Sequence, residues 1–225
     1  KAINYKTYSE LIYTRTSGNA YWNSLRNQPI CLYDDFYAIG GELGLQQAAE
    51  LFCLKSRAVF NPPQADISEK HIRYNPLIVF LAANNAFPKI TGVENTNALY
   101  RRRDMLIKVI KNEAFYEKHK VDKNVGNPKQ FNKADIKNYE HLKFALYLNP
   151  ADTKSALTRE YTYIELCELL NTNFSSFYEN ELNNYMAAMK EAYDFYPDDD
   201  IIGGDFDQAI KNQTARMESI NEHRG

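Results

Sequence analysis

Two apolar segments that end in polar side chains dominate the pattern of the chain. Residues 77–83 pass without a charged or strongly hydrogen-bonding side chain, which is typical of a parallel strand covered on both faces. Asn84 and Asn85 follow this segment, and Pro88, which lacks an N–H, discourages further pairing. Because open α/β sheets bind ligands just beyond the carboxyl ends of their strands, both asparagines are candidate site residues. The alternative interpretation is that Asn-Asn only opens a loop.

A second apolar strand is predicted at residues 30–33, directly after Pro29, and it ends in Asp34 and Asp35. Neighbouring side chains on an extended backbone point to opposite sides, so the two carboxylates can reach different partners. In NTPases, one such acid can hold Mg²⁺ while the other orients or deprotonates the attacking water. The pattern therefore has two interpretations at this point, a nucleotide-hydrolysis site and a solvated Asp-Asp turn, because short apolar runs that end in acids are common.

Between these two strands the apolar period becomes helical. Leu45, Ala48, Ala49 and Phe52 have the spacing of one helical face, which predicts a helix packed on the sheet. Strand, helix and strand together predict a parallel βαβ unit. Residues 11–13 fit a helix or a short strand equally well, so their structure stays open at this point.

Three consecutive arginines, Arg101, Arg102 and Arg103, precede another apolar-rich segment at residues 105–110, which predicts a further strand. A surface charge run is one explanation for the arginines. The other is that an arginine reaches the γ-phosphate of a nucleotide held by a neighbouring subunit, where it stabilises the charge that develops in phosphoryl transfer. Arg103 itself is expected to pair with an acid or to lie in solvent.

Composition narrows the class of protein. A hydrophobic content of 44% in 225 residues is ample for a globular core, and a formal charge of −2 argues against nucleic-acid binding through net charge alone. Cys31, Cys53 and Cys167 have no CxxC or Cys/His spacing, so the sequence predicts neither a zinc site nor a disulfide framework. A reducing compartment is expected, and the sequence contains no apolar run near the roughly 18–20 residues that span a bilayer.

The segments together resemble a known family. PICLYDDF, SRAVFNPPQADISEKH, LIVFLAANNAFP and NALYRRRDMLIKV occur in the order and with similar gaps found in the superfamily 3 helicase/NTPase of picorna-like (Picornavirales) RNA viruses. The resemblance covers roughly residues 13–109, with a weaker echo to about residue 197. Each motif alone is weak, and the agreement of four in order makes the resemblance specific.

The resemblance implies an α/β fold, an AAA+-like P-loop NTPase core, followed by a mainly α-helical C-terminal region. It implies a Mg²⁺-dependent ATPase that forms a homo-oligomeric ring, expected to be a hexamer, and hydrolyses ATP between subunits to remodel RNA. Asp34 and Asp35 match the Walker B acids, with Asp34 the expected metal ligand. Asn85 matches the asparagine that senses the γ-phosphate and the attacking water, and Arg101 and Arg102 match the arginine-finger pair.

Further expectations come from the same resemblance. Asn84, a candidate nucleotide-binding residue, stands where the family often has a small hydroxyl residue, and Lys70 lies in the part of the family that can face the central channel. The family serves viral RNA replication in the host cytoplasm, within membrane-associated complexes and alongside other viral replication proteins. Attachment to host membranes is expected from regions outside this chain.

One element of the family is missing from the sequence. The family needs the phosphate-binding loop G-x-x-x-x-G-K-[ST] (Walker A) ahead of these motifs, and no Gly-Lys-Ser or Gly-Lys-Thr occurs here. The order of the motifs would put that loop before Lys1, so we expect a segment of a longer polyprotein whose core lacks its first strand. We expect the segment alone to be inactive.

The remainder of the chain is predicted to form a smaller region and a tail. The predicted boundaries are a partial ATPase core at 1–120, a helical subdomain at 121–197 and a linker or polyprotein tail at 198–225. Two other functions stay open. One is a non-catalytic interaction module derived from this fold, and the other is a cellular or DNA-virus AAA+ ATPase.

Overall fold

A computed structural model describes residues 5–16, 18–56, 58–122, 131 and 136–195. The chain divides into two compact units, Lys1–Ile164 and Glu165–Gly225. The helices and strands, in chain order, are α1 (Tyr5–Leu11), β1 (Ile12–Arg15), β2 (Ile30–Tyr33), α2 (Glu42–Leu54), β3 (Ile78–Leu81), α3 (Thr96–Tyr100), β4 (Ile107–Lys111), α4 (Glu113–Lys118), β5 (Leu142–Leu146) and α5 (Tyr163–Phe195), and a 3₁₀ turn lies at Ile67–Glu69.

A parallel sheet of β1, β2 and β3, in that order, organises the first unit. Tyr33 at the end of β2 stands opposite Arg15 of β1 and Leu81 of β3, so the three strands end at one edge. The predicted α/β class and the βαβ unit are confirmed. The ambiguous segment at residues 11–13 contains both structures, because α1 ends at Leu11 and β1 begins at Ile12.

Aromatic side chains fill the core beside this sheet. Trp22 is fully buried and stacks on Tyr13, with 5.3 Å between ring centroids. Tyr33, Phe60 and Tyr74 meet the same indole edge to face. Such pairs stabilise a core beyond the burial of their area, by about 0.5–1.5 kcal/mol each. The core therefore holds the strands rigidly below the edge at which they end.

The apolar segment at residues 77–83 is less covered than its pattern predicted. Only Ile78–Leu81 form the strand, and β3 is the last strand of the described sheet. Leu77 is 54% exposed and Phe80 is 44% exposed, so the prediction of cover on both faces is wrong for the described chain. An apolar run indicates that a strand needs a covering partner, but it does not show that this chain supplies one.

The crossover helix α2 is confirmed, but its buried face differs from the predicted stripe. Leu45 is 40% exposed, and the buried positions include Gly44, Gln47 and Ala48. A Cβ at Gly44 would lie 3.0 Å from the ring of Tyr37, so the small residue lets the loop after β2 pack closely on the helix. Polar and glycine positions were not counted in the stripe, and they form much of the contact.

The second sheet is separate and antiparallel. The strand predicted near residues 105–110 exists as β4, which pairs with β5 from Ile107↔Leu146 to Lys111↔Leu142. On its other side β5 bonds to the returning chain, where the backbones of Phe144 and Tyr161 exchange hydrogen bonds of 3.0 and 2.7 Å. The segment after the arginines thus belongs to a different sheet from β3.

The second unit consists, in its described residues, of α5 from Glu165 onward. This part of the predicted helical subdomain is one continuous helix, which begins at Tyr163. Aromatic side chains on this helix are not fully buried, and Tyr185 is 55% exposed. The predicted functional boundaries at 120 and 197 stay predictions, and the predicted tail at 198–225 lies outside the described residues.

Candidate functional site

The two aspartates lie at the carboxyl edge of the parallel sheet, where β2 ends. Pairing with the chain after β3 continues around them, because Ala82 N–H donates to Tyr33 O at 2.9 Å and Phe36 N–H donates to Ala82 O at 2.7 Å. Asp34 and Asp35 lie between these two bonds, and both are exposed. The structure therefore brings the aspartate pair next to the backbone that leads into the two asparagines.

The turn after β2 is held from below. Phe36 is buried, Tyr37 N–H donates to Gln47 Oε1 at 2.9 Å, and the Tyr37 hydroxyl donates to Gly44 O at 2.6 Å. Asp35 has a φ of 52°, a left-handed conformation that aspartate tolerates better than most residues. Buried neighbours thus fix this backbone and leave the carboxylates facing solvent.

Asn84 and Asn85 follow β3 at the neighbouring position, as the sequence predicted, and both are exposed. The Oδ1 atom of Asn85 accepts a hydrogen bond of 3.0 Å from Phe87 N–H, which closes a local turn. This bond holds the side-chain oxygen against its own loop and leaves the amide N–H groups to donate. An amide donor suits a phosphate oxygen or an attacking water.

A buried ion pair supports the same edge from below. Arg15 at the end of β1 donates to Glu50 of α2 through Nη2 at 2.6 Å and Nε at 3.1 Å, a bidentate geometry. The Tyr33 hydroxyl donates to Glu50 Oε2 at 2.9 Å. Burial and the nearby Glu50 charge raise the pKa of Tyr33 far above its ordinary value, so the phenol stays protonated as the donor. Sequence analysis missed this network.

Arg15 also orders the loop that follows β1. Its Nη2 donates to Asn19 O at 2.6 Å and its Nη1 donates to Tyr21 O at 3.2 Å. The guanidinium lies 4.9 Å from the Trp22 ring centroid. The sequence pattern gave no signal for this pair, because Arg15 follows a segment whose structure was left open and Glu50 lies outside the predicted apolar stripe of the helix.

The three arginines have different surroundings. Arg101, which directly follows α3, has an exposed side chain. Arg102 is half-buried, donates from Nη1 to Ala98 O at 2.6 Å, and lies 4.4 Å from the ring centroid of Phe52 on α2. Arg103 lies over the rings of Phe87 and Tyr100, so the prediction that it pairs with an acid or lies in solvent is wrong.

An open cleft of about 510 Å³ lies beside Arg101. Asn95, Asn97, Asn149 and Asp152 line it together with that arginine. None of the aspartates or asparagines at the sheet edge contributes to it. Within the described residues no hydrogen bond or ion pair joins the arginines to those side chains, so the predicted site residues form two separate groups in one chain.

Other predicted features occupy the surface. Lys70, directly after the 3₁₀ turn, is exposed beside His71. The described residues include no cluster of three or more His, Cys, Asp or Glu side chains that could hold a metal ion. Mg²⁺ usually keeps several waters and takes one or two carboxylates together with substrate phosphates, so a site at Asp34 would not require such a cluster. No helix among the described residues has both the length and the apolar content to span a membrane.

Comparison with known proteins shows that this chain is similar in sequence to an RNA helicase family and to viral polyproteins. Residues 2–85 match the family model described as RNA helicase. The genome polyprotein of Deformed wing virus is 30% identical over 152 residues, 66% of this chain and 5% of that polyprotein. The genome polyprotein of Rice tungro spherical virus (strain A) is 36% identical over 118 residues, 52% of this chain and 3% of the polyprotein. The RNA1 polyprotein of Cowpea mosaic virus (strain SB) is 29% identical over 109 residues, 47% of this chain and 6% of the polyprotein.

The matches have two consequences. The chain spans only a small part of each polyprotein, 3% to 6% of its length. The family match ends at Asn85, so it includes both aspartates and both asparagines but stops short of the arginine segment. The sheet-edge residues therefore lie inside the matched helicase region, whereas the arginines lie beyond it.

Proposed function

We propose, from the premise that this chain belongs to the superfamily 3 helicases of picorna-like RNA viruses, that the extended protein is an ATPase that remodels RNA during viral genome replication. ATP is hydrolysed between subunits of a homo-oligomeric ring. The observation that carries the proposal is the placement of Asp34, Asp35 and Asn85 on adjoining turns at the carboxyl edge of one parallel sheet. That edge is where open α/β sheets bind their ligands.

Each side chain at the edge has a distinct part. Asp34 would hold Mg²⁺, which neutralises charge on the phosphate oxygens of ATP when it is bound. Asp35 takes the proton of the attacking water or orients it, since its carboxylate is free to accept. Asn85 donates from its amide to the γ-phosphate or to that water. Asn84, exposed beside it, is a further contact for the nucleotide.

The open edge of β3 supports a second part of the proposal. An exposed strand edge carries unpaired backbone N–H and C=O groups, and here it also exposes the apolar side chains of Leu77 and Phe80. We propose that a strand from upstream in the polyprotein pairs with β3 and delivers the phosphate-binding loop to the aspartates. A strand in that position would cover the side chains that this chain leaves open.

Arg101 is the stronger candidate for the finger that acts on a neighbouring subunit's nucleotide. The guanidinium of Arg102 already contacts Ala98 O and the Phe52 ring, whereas Arg101 is exposed beside the open cleft. A group that serves another subunit must be free to reach out of its own. Lys70, exposed on a separate turn, is proposed to contact RNA in the central channel.

The setting of this activity follows from the family. We propose that the extended protein works in the host cytoplasm, in membrane-associated replication complexes with other viral replication proteins. Attachment to membranes would come from other parts of the polyprotein.

ATP hydrolysis by two forms of the protein tests the proposal. This 225-residue chain alone should bind ATP weakly and not hydrolyse it, because its sequence lacks the phosphate-binding loop. The extended protein should show Mg²⁺-dependent hydrolysis. Asp35→Asn in the extended protein should lower kcat by about a hundredfold to ten-thousandfold, keep nucleotide binding and leave Tm unchanged, since Asp35 is exposed.

Glu117→Gln supplies the matched control, because Glu117 is an exposed carboxylate on α4, away from the sheet edge. It should hydrolyse ATP at the rate of the unmodified protein. If the extended protein carries a phosphate-binding loop and still does not hydrolyse ATP, the chain is a non-catalytic module. Robust hydrolysis by the 225-residue chain would contradict the role of the upstream strand.

A further inference from the structure

The Phe87 ring lies where the Asn85 turn meets the arginine segment. The backbone N–H of Phe87 donates to Asn85 Oδ1 at 3.0 Å, so the two residues belong to one closed turn. Its ring meets the Tyr100 ring edge to face, with 5.3 Å between centroids and 84° between planes. The Arg103 guanidinium lies 5.3 Å from the same ring. Phe87 therefore contacts Asn85 on one side and, on the other, Tyr100 and Arg103, which flank the predicted arginine pair.

Tyr100 makes a second tie between the same two segments. Its hydroxyl donates to Pro88 O at 2.8 Å in a buried hydrogen bond, and Tyr100 is 3% exposed. Tyr100 is the last residue of α3 and directly precedes Arg101. A shift of the loop that contains Asn85 and Phe87 must therefore move Tyr100, and with it the backbone that carries Arg101.

Arg103 completes the stack at some energetic cost. Its guanidinium lies 4.7 Å from the Tyr100 ring and has a buried Nη1 atom without a hydrogen-bond partner in the described structure. Burial lowers its pKa, although an arginine remains charged. An unpaired buried donor is destabilising, and the contact with two rings partly offsets this effect. Contact with the two rings, rather than hydrogen bonding of Nη1, therefore holds this end of the arginine.

We infer that Phe87, Tyr100 and Arg103 form a positioning unit that couples the Asn85 turn of a subunit to the placement of its own Arg101. The inference rests on the proposed function, in which Asn85 contacts the subunit's own nucleotide and Arg101 serves the neighbouring one. Binding of ATP at one interface would then set the position of the finger at the next. Coupling of this kind is reciprocal, so the occupied neighbouring site would also bias the Asn85 turn.

A double-mutant cycle in the extended protein, with the rate of ATP hydrolysis as the readout, tests the inference. Phe87→Leu should lower kcat by about twofold to thirtyfold, the range for residues that transmit coupling, with the KM for ATP nearly unchanged. Phe87→Tyr, which keeps the aromatic ring, should have the kcat of the unmodified protein. In an Arg101→Ala background, Phe87→Leu should cause no further loss, because the group that it positions is absent.

Phe60→Leu is the matched control, since Phe60 is also partly buried and packs edge to face, but against Trp22 in the core. Any loss of kcat that Phe60→Leu causes should add in full to the loss that Arg101→Ala causes. Arg103→Lys, which keeps the charge and loses the planar stacking, gives a second variant if Phe87→Leu does not fold. It should also lower kcat only where Arg101 is present.

The outcomes separate this inference from the proposed function. If Arg101→Ala lowers kcat to a residual rate and the loss from Phe87→Leu or Arg103→Lys lowers that rate further by its full factor, the positioning role is wrong and the finger stands. If Arg101→Ala hydrolyses ATP normally, the finger assignment fails and the positioning role fails with it. Loss of kcat that vanishes in the Arg101→Ala background supports both.

Discussion

The sheet edge and the arginine segment place their functional side chains in different ways. At the edge, backbone pairing and buried neighbours such as Phe36 fix the turn, and the carboxylates of Asp34 and Asp35 remain exposed. In the arginine segment, the side chains of Arg102 and Arg103 are themselves packed on aromatic rings. A substitution of an exposed carboxylate at the edge should therefore change the chemistry alone, whereas most substitutions in the arginine segment should also change stability.

Arg101 is the exception in its segment, and this gives the largest expected effect. Arg101→Ala in the extended protein should lower kcat by about a thousandfold or more without changing Tm, because an exposed finger acts only in the transition state. Arg102→Ala should instead lower Tm, since it removes the contact with Phe52 and the bond to Ala98 O. ATPase assays and thermal melts of the two variants measure the difference, once each variant is shown to assemble like the unmodified protein. The same loss of Tm in both variants would contradict the distinction between the two arginines.

The support beneath the edge gives the next largest effect. Glu50→Gln in this chain should lower the free energy of unfolding by about 3–5 kcal/mol, because it leaves the Arg15 charge buried without its partner. Glu42→Gln, an exposed site on the same helix, should change it by no more than about 0.5 kcal/mol. Urea denaturation of the three proteins gives the values. Equal stabilities for the two variants would show that the ion pair does not hold the edge.

The smallest effect concerns the contact between Lys55 and Asp104, whose Nζ and Oδ2 atoms lie 2.7 Å apart. The Asp104 side chain is 76% exposed, so the ion pair is screened and should contribute only about 0–1 kcal/mol. Lys55→Ala in this chain should lower the urea midpoint slightly, and the difference should disappear in about 1 M salt. A larger decrease in the urea midpoint that does not depend on salt would mean that the Lys55–Asp104 pair, rather than ring packing, holds the arginine segment.

The parts of the molecule that repeat a local pattern could be predicted from the sequence. Apolar runs that end in Asp34 or Asn84 marked β2 and β3, and helical spacing marked α2. The sequence motifs also indicated the helicase family, which the comparisons confirm. The function of the individual site residues stays a prediction.

The contacts between distant segments could not be predicted in the same way. The Arg15–Glu50 pair joins residues 35 positions apart, and periodicity contains no information about which buried charges meet. The position of Arg103 depends on where the loop containing Phe87 packs. The exposed face of β3 depends on which strands the chain supplies to the sheet. Each of these features is set by tertiary packing rather than by local pattern.

Hydrolysis by mixed subunits tests the central claim most directly. One subunit of the extended protein would carry Arg101→Ala with an intact phosphate-binding loop, and the other would carry an inactivated loop with Arg101 intact. Each should be inactive alone, and a head-to-tail ring of the two should contain interfaces at which an intact loop faces an intact finger. The account predicts that the mixture recovers hydrolysis, by about a thousandfold over either component. A mixture that is shown to co-assemble and stays as inactive as its components at every ratio would contradict hydrolysis between subunits.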